Sequence, residues 1–131
     1  NFLKSLPINL ITHNIGIVDS IANVIFLAGR TRYAVKNSSF LFHGVGVDVN
    51  QVRFEEKNIK EQLKMIQRDQ NLIADIIAEQ SQYSKEDVEK MFLEADTRTP
   101  EQAKEKGLIN DVREANIPEG AEVVQFIFQR K

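Results

Sequence analysis

The apolar positions of the 131-residue chain change period several times, and each change predicts an element. Asn1 to Leu6 reads as the last turn of a helix that Pro7 stops, because the residue before a proline is pushed out of the helical region. An extended apolar run from Ile8 to Thr12 predicts a short buried strand, and Asn14 and Gly16 supply turn chemistry. From Ile17 the spacing becomes helical, with Ile17, Ile21, Val24, Ile25 and Ala28 on one face and Gly29 as the C-terminal cap. Arg32 to Val35 and Phe40 to Phe42 are β-prone runs separated by the turn cluster Lys36-Asn37-Ser38, and the second run delivers His43 at its end.

Gly44 and Gly46 alternate with Val45 and Val47, and a long polar helix is predicted from about Asn50 to Gln82. At 1.5 Å per residue it would span roughly 50 Å, longer than a domain of this size is wide. Leu63, Ile66, Ile73, Ile76 and Ile77 make its apolar stripe, while Glu55, Glu56, Lys57, Lys60 and Glu61 keep its first half charged. Such a helix is expected to project and meet a partner; packing across its own domain is the alternative. Ser84 with Asp87, and Thr99 with Pro100 and Gln102, are start signatures of two short helices. Gly107 caps the second; Leu108 to Val112 and Glu122 to Gln129 then read as strands, the latter with Val124, Phe126 and Phe128 on one side. Without repeats or linkers, 131 residues of alternating strands and helices predict one α/β domain over residues 1–131.

Composition narrows the function classes. Hydrophobic residues make 42% and charged residues 27% of the chain, the balance of a globular protein able to bury a core. Seventeen Lys and Arg against nineteen Asp and Glu give a net charge of −2, without the basic excess of a nucleic-acid footprint, so no such partner is expected. The absence of Cys excludes disulfides, thiol nucleophiles and thiolate metal sites, and leaves a cytoplasmic setting as the default. The most apolar stretch, Gly16 to Gly29, is interrupted by Asp19, Ser20 and Asn23 and falls short of the roughly 20 residues a spanning helix needs, so no membrane partner is expected. With Asn first and no basic-then-apolar leader, the chain reads as a fragment or processed product without a signal peptide. No phosphate-binding glycine motif occurs, and His13 and His43 lack the spacing of a metal pair, so neither cofactor nor metal is expected. His13, at a strand end, reads as structural.

Serine hydrolysis needs a hydroxyl on a sharp turn into a helix, a His to take its proton, and backbone donors where the oxyanion forms. Ser20, one turn into the helix predicted from Ile17, and His43 can supply the first two, although a Ser at a helix start is commonly a cap. The segments Gly16-Ile17-Val18-Asp19-Ser20-Ile21-Ala22, Leu27-Ala28-Gly29 and Phe40-Leu41-Phe42-His43 resemble the nucleophile and histidine segments of the ClpP family of serine peptidases. Ser84-Lys85-Glu86-Asp87-Val88-Glu89 is similar to that family's short helix before its acidic residue. Thr99-Pro100-Glu101-Gln102-Ala103 with Glu105-Lys106-Gly107-Leu108-Ile109-Asn110 is similar to its SAxEA…YGLVD segment.

The resemblance covers residues 1 to about 112, leaving residues 113–131 as an extra C-terminal tail or strand, and implies the C-terminal part of an α/β ClpP/crotonase-like fold of short parallel strands and helices, the long helix being the projecting handle through which two rings face each other. It implies Ser20 as nucleophile, His43 as general base and the Ile21 backbone amide as one oxyanion donor. It also implies a polypeptide substrate, a homo-oligomeric ring and an unfoldase ATPase partner, for which no docking motif is visible. Three departures stand against it. Counting back from Gly107 puts Met91 where the family carries the Asp that orients the histidine, and a thioether cannot stabilise imidazolium. Asp96 and Glu94 are the nearest substitutes, with solvated charge flanking a strand as the alternative reading of both. The family's second oxyanion donor comes from a glycine-rich βαβ unit expected ahead of Asn1. Asp19 replaces a small residue beside the nucleophile, or else is a favourable charge in a first helical turn. The readings are therefore a peptidase subunit, a catalytically inactive assembly or regulatory subunit of the same fold, and crotonase-like acyl-CoA chemistry, which the Ser and His order disfavours.

Overall fold

The computed structural model describes residues 2–48 and 53–125. The single turn α1 (Phe2–Ser5) precedes Pro7, and β1 (Ile11–Asn14) starts later than the apolar run suggests. β2 (Ile17–Asp19), α2 (Ile21–Phe26), β3 (Thr31–Ala34) and β4 (Ser39–Leu41) follow. The helix expected from Ile17 is corrected here: Ile17, Val18 and Asp19 pair in parallel with Ser39, Phe40 and Leu41, and α2 starts only at Ile21. Helical spacing is a weak prior beside a ladder partner, and Ile and Val fit a pleated surface well.

The remaining elements are α3 (Glu56–Glu79), α4 (Lys85–Glu94), β5 (Thr97–Arg98), α5 (Pro100–Glu105) and β6 (Asp111–Val112). One sheet has the order β1-β3-β6 with all neighbours parallel; the other has the order β2-β4-β5, with β2 and β4 parallel and β5 antiparallel to β4. β5 directly follows Asp96, where the reading of Glu94 and Asp96 as charges flanking a strand expects one, without bounds. Of the strand expected over Leu108 to Val112 only the last two residues pair, because the Leu108 and Ile109 N–H groups turn back to the Ala103 carbonyl at the end of α5. Residues 122–125 form no strand, and the remainder of that expected strand, with Phe126 and Phe128, lies outside the described residues.

The two short helices start where their capping signatures place them. Ser84 Oγ accepts the Asp87 N–H at 3.0 Å and Thr99 Oγ1 accepts the Gln102 N–H at 3.3 Å, and in each box the third residue's side chain accepts in return. The 24 residues of α3 make about 36 Å of helix. The start expected near Asn50 lies outside the described residues, and the helix begins at Glu56 behind a capping box of Glu55 and Asn58. Its C-terminal half packs, burying Ala74 and Ile77, while Ile59 and Leu63 toward its N-terminus are at least half exposed. The helix therefore both anchors in its own domain and projects from it.

Phe26, Phe40, Phe42, Ile77, Val88 and Leu108 belong to one core between the sheets and α2 to α5, with the Phe26 and Phe40 rings edge-on at 5.2 Å. Beside it, the Arg32 side chain of β3 closes three helix ends at once. Its Nε donates to the Leu108 carbonyl at 2.6 Å, Nη2 to Gly107 at 2.9 Å and Gln80 at 3.1 Å, and Nη1 to Gly29 at 3.4 Å. These are the unpaired carbonyls that follow α5, α3 and α2, where a cation is favourable. Ile11 of β1, Ile15 between the strands, Ile17 of β2, and Ile21 and Ile25 of α2 are each more than half exposed, and β1 and β2 are edge strands of their sheets. Among the described residues no helix is long and apolar enough to cross a membrane.

Candidate active site

Because β2 and β4 are parallel neighbours, their C-terminal ends lie side by side, and in α/β sheets that edge is where ligands bind. Ser20 follows β2 directly, and His43 lies two residues past β4. Ser20 stands at the elbow between β2 and α2, which corrects its expected place one turn inside a helix. Its backbone, at φ 54° and ψ −122°, is in a region that side-chain-bearing residues rarely occupy.

Hydrogen bonds over-determine this conformation. The Ser20 N–H donates to the Leu41 carbonyl at 3.1 Å, and the Ser20 carbonyl accepts the Asn23 N–H at 3.0 Å. Asn23, only 2% exposed, uses its side-chain amide to bond both the Ser20 carbonyl at 3.1 Å and the Leu41 carbonyl at 2.8 Å. It thus staples the elbow to β4. Sequence reasoning treated Asn23 only as an interruption of an apolar stretch; an amide on the buried side of a helix, three residues after the serine, was the signal available. Ser20 occupies the N-cap place of α2, yet its side chain makes no capping bond, so the hydroxyl is not spent on the helix. Ile21 opens α2, and its N–H is one of the donors that a helix leaves without an internal partner.

Ser20, Ile21 and His43 line one cleft of about 480 Å³, walled by Gly44 to Gly46 on one side and by Asp69, Leu72 and Ile73 of α3 on the other. The His43 ring engages both nitrogens: Nδ1 lies 2.9 Å from the Gly44 carbonyl and Nε2 lies 3.4 Å from Asp19 Oδ1. Asp19 ends β2 and precedes the helix, so its reading as a first-turn charge is corrected too. Among the described residues no hydrogen bond joins Ser20 Oγ to the imidazole.

None of the three residues considered for the orienting position is brought to His43 by a side-chain contact. Met91 is 3% exposed inside the core, and its carbonyl accepts the Asp96 N–H at 3.1 Å. The Asp96 carboxylate pairs with Arg98, while its carbonyl accepts the Phe42 N–H at 2.8 Å. Glu94 faces solvent and lies 3.8 Å from Lys90. The Gly44 N–H bonds the Phe92 carbonyl at 3.1 Å, so the backbone of the α4 end flanks His43 on both sides while these carboxylates point elsewhere. His13 serves the tail: its Nε2 lies 3.0 Å from the Arg113 carbonyl, and the Arg113 guanidinium lies 3.5 Å over the Tyr33 ring.

A family model described as Clp protease matches residues 1–116. The chain belongs to the Clp protease family. Among curated proteins none matches it. The Clp protease family is in general one of serine peptidases that assemble as rings, and the mixed sheets of short, mainly parallel strands with helices accord with its ClpP-like fold. Within the Clp protease match lie the elbow serine, the histidine and the whole of α3; the match stops where the described part of the chain ceases to form elements.

Proposed function

We propose that this chain is a ClpP-like serine peptidase subunit that cleaves peptide bonds through an acyl-enzyme on Ser20, with His43 as general base and the Ile21 amide as one oxyanion donor. The observation that carries the reading is the elbow: a strained serine with an uncommitted hydroxyl, tied to the same strand that delivers His43 into the same cleft. Strain of this kind costs of order 1–3 kcal/mol and persists where the surroundings enforce it, which Asn23 and Leu41 do here. The cleft is lined by the Gly44 to Gly46 segment, whose backbone groups could pair with a bound polypeptide. The projecting half of α3, with Ile59 and Leu63 exposed, suits the contact between two facing rings of subunits, to which an unfoldase ATPase would deliver chains.

The second reading, an inactive assembly or regulatory subunit, draws on the positions of Met91, Asp96 and Glu94 away from His43. A serine-directed fluorophosphonate separates the two. Intact mass of the full gene product should show one adduct that disappears in Ser20→Ala. An unlabelled wild-type protein would refute the peptidase and leave the assembly role.

A further inference from the structure

In a serine triad the carboxylate does two separable things: it accepts the hydrogen of one imidazole nitrogen, which sets the tautomer, and it balances the charge when the other nitrogen takes the serine proton. At His43 these two tasks fall on different groups. The Gly44 carbonyl, 2.9 Å from Nδ1, can only accept, so it favours the neutral tautomer with the hydrogen on Nδ1, which leaves the lone pair on Nε2 for the serine proton. Nε2 faces Asp19 Oδ1 at 3.4 Å, and Asp19 immediately precedes Ser20 on the elbow. Three other carboxylates have partners of their own: Asp69 of α3 lines the cleft and bonds Arg68, Asp96 pairs with Arg98, and Glu94 lies beside Lys90. Among the described residues the ion-pair contact of Asp19 is His43.

Resting on the peptidase reading, we propose that Asp19 is the charge partner of His43, in place of an orienting Asp from the α4 end, while the Gly44 carbonyl sets the tautomer. In acylation the Ser20 O–H bond breaks, its proton passes to Nε2, and Oγ bonds the substrate carbonyl carbon as the C=O pair moves onto oxygen. The Asp19 carboxylate balances the imidazolium. As the intermediate collapses, Nε2 returns the proton to the leaving amine and the C–N bond breaks; water repeats the sequence to release the acyl group. Asp19 is thus a positioning residue that acts through His43. Because the two side chains are 42% and 52% exposed, water screens the pair and its effect is far smaller than that of a buried carboxylate.

The test is the rate of fluorophosphonate capture of Ser20 across pH, in the full gene product and in Asp19→Asn and Asp19→Glu. The expected result is a fall of about three- to tenfold on the alkaline plateau of Asp19→Asn, the size of a screened ion pair. Asp19→Glu should recover most of the plateau. Superimposable profiles for wild type and Asp19→Asn would overturn the proposal, as would a faster Asp19→Asn, which would mean that the carboxylate merely obstructs Nε2. The pairing is also read without catalysis, from the ¹⁵N resonances of His43, where Asp19→Asn should displace the Nε2 signal and leave Nδ1 as the protonated nitrogen. No capture in any variant with a displaced Nε2 signal would sink the peptidase reading while upholding the pair. No capture and no displacement would sink both.

Discussion

Replacing Arg32 tests whether one cation holds the ends of three helices together. Its three shorter bonds, at 2.6, 2.9 and 3.1 Å, are charge-assisted, and the fourth, at 3.4 Å, is at the limit of a hydrogen bond. Hydrogen bonds to charged groups are worth about 1.5–3 kcal/mol each, so three independent ones would reach about 4.5–9 kcal/mol. They are not independent, because they share one guanidinium. Burial holds its pKa below the ordinary arginine value, but only about half of the group is buried, so carbonyls released by mutation recover water. We therefore expect Arg32→Met, which keeps much of the apolar stem, to lose about 3 kcal/mol. Arg32→Lys keeps the charge without the fork and should lose roughly half as much. Urea unfolding followed by circular dichroism reads this as a midpoint lower by about 1.5 M for Arg32→Met, at a slope near 2 kcal/mol per M. An Arg32→Met midpoint within about 0.2 M of wild type, or a Lys variant as unstable as the Met variant, would refute the reasoning.

Two further outcomes follow from particular residues. Ser20→Gly should be more stable than Ser20→Ala by about 1 kcal/mol, because glycine relieves the strain at φ 54° while regaining some unfolded-chain entropy; equal melting midpoints would remove the strain from the account. The Ser84 N–H and, next, its hydroxyl hold the Asp87 carboxyl below the ordinary carboxylate value, so the unfolded chain takes up that proton at higher pH than the folded one. The stabilisation is fully present above the unfolded value and is lost as pH falls through the folded one. Wild type should therefore exceed Asp87→Asn in urea midpoint at neutral pH, and the difference should close in that acid window.

Local chemistry was readable where it is local in the chain. Both capping boxes, at Ser84 with Asp87 and at Thr99 with Gln102, start helices at the residues their spacing names, because each box is complete within four residues. The Ser20 and His43 segments carried the family resemblance for the same reason, and the family match over residues 1–116 agrees with it. What escaped was what the ladder decides. Ile17 to Asp19 satisfies helical spacing, but β4 offers it a partner twenty-two residues away in sequence, and that pairing also moves Asp19 to the sheet end. β5 has two residues, and its bounds are set only by the β4 residues there to pair with it. The neighbours of His43 are set by strand β2 and by the return of the chain after α4, so counting along the sequence could not single out Asp19.

The free edges bear on how the chain survives its own synthesis. Among the described residues β1 and β2 each pair on one side only, and Asp19 is the one Asp, Glu, Lys or Arg in either strand. Lysines, prolines and bulges are what commonly keep such edges from joining strangers, and exposed isoleucines do the opposite. Protection must then come from structure that covers these edges, and misassociation competes with it from the moment the strands form. The yield of usable protein is in that case governed by a race between covering and clumping, in which chain concentration and chaperone supply weigh more than the depth of the folded minimum.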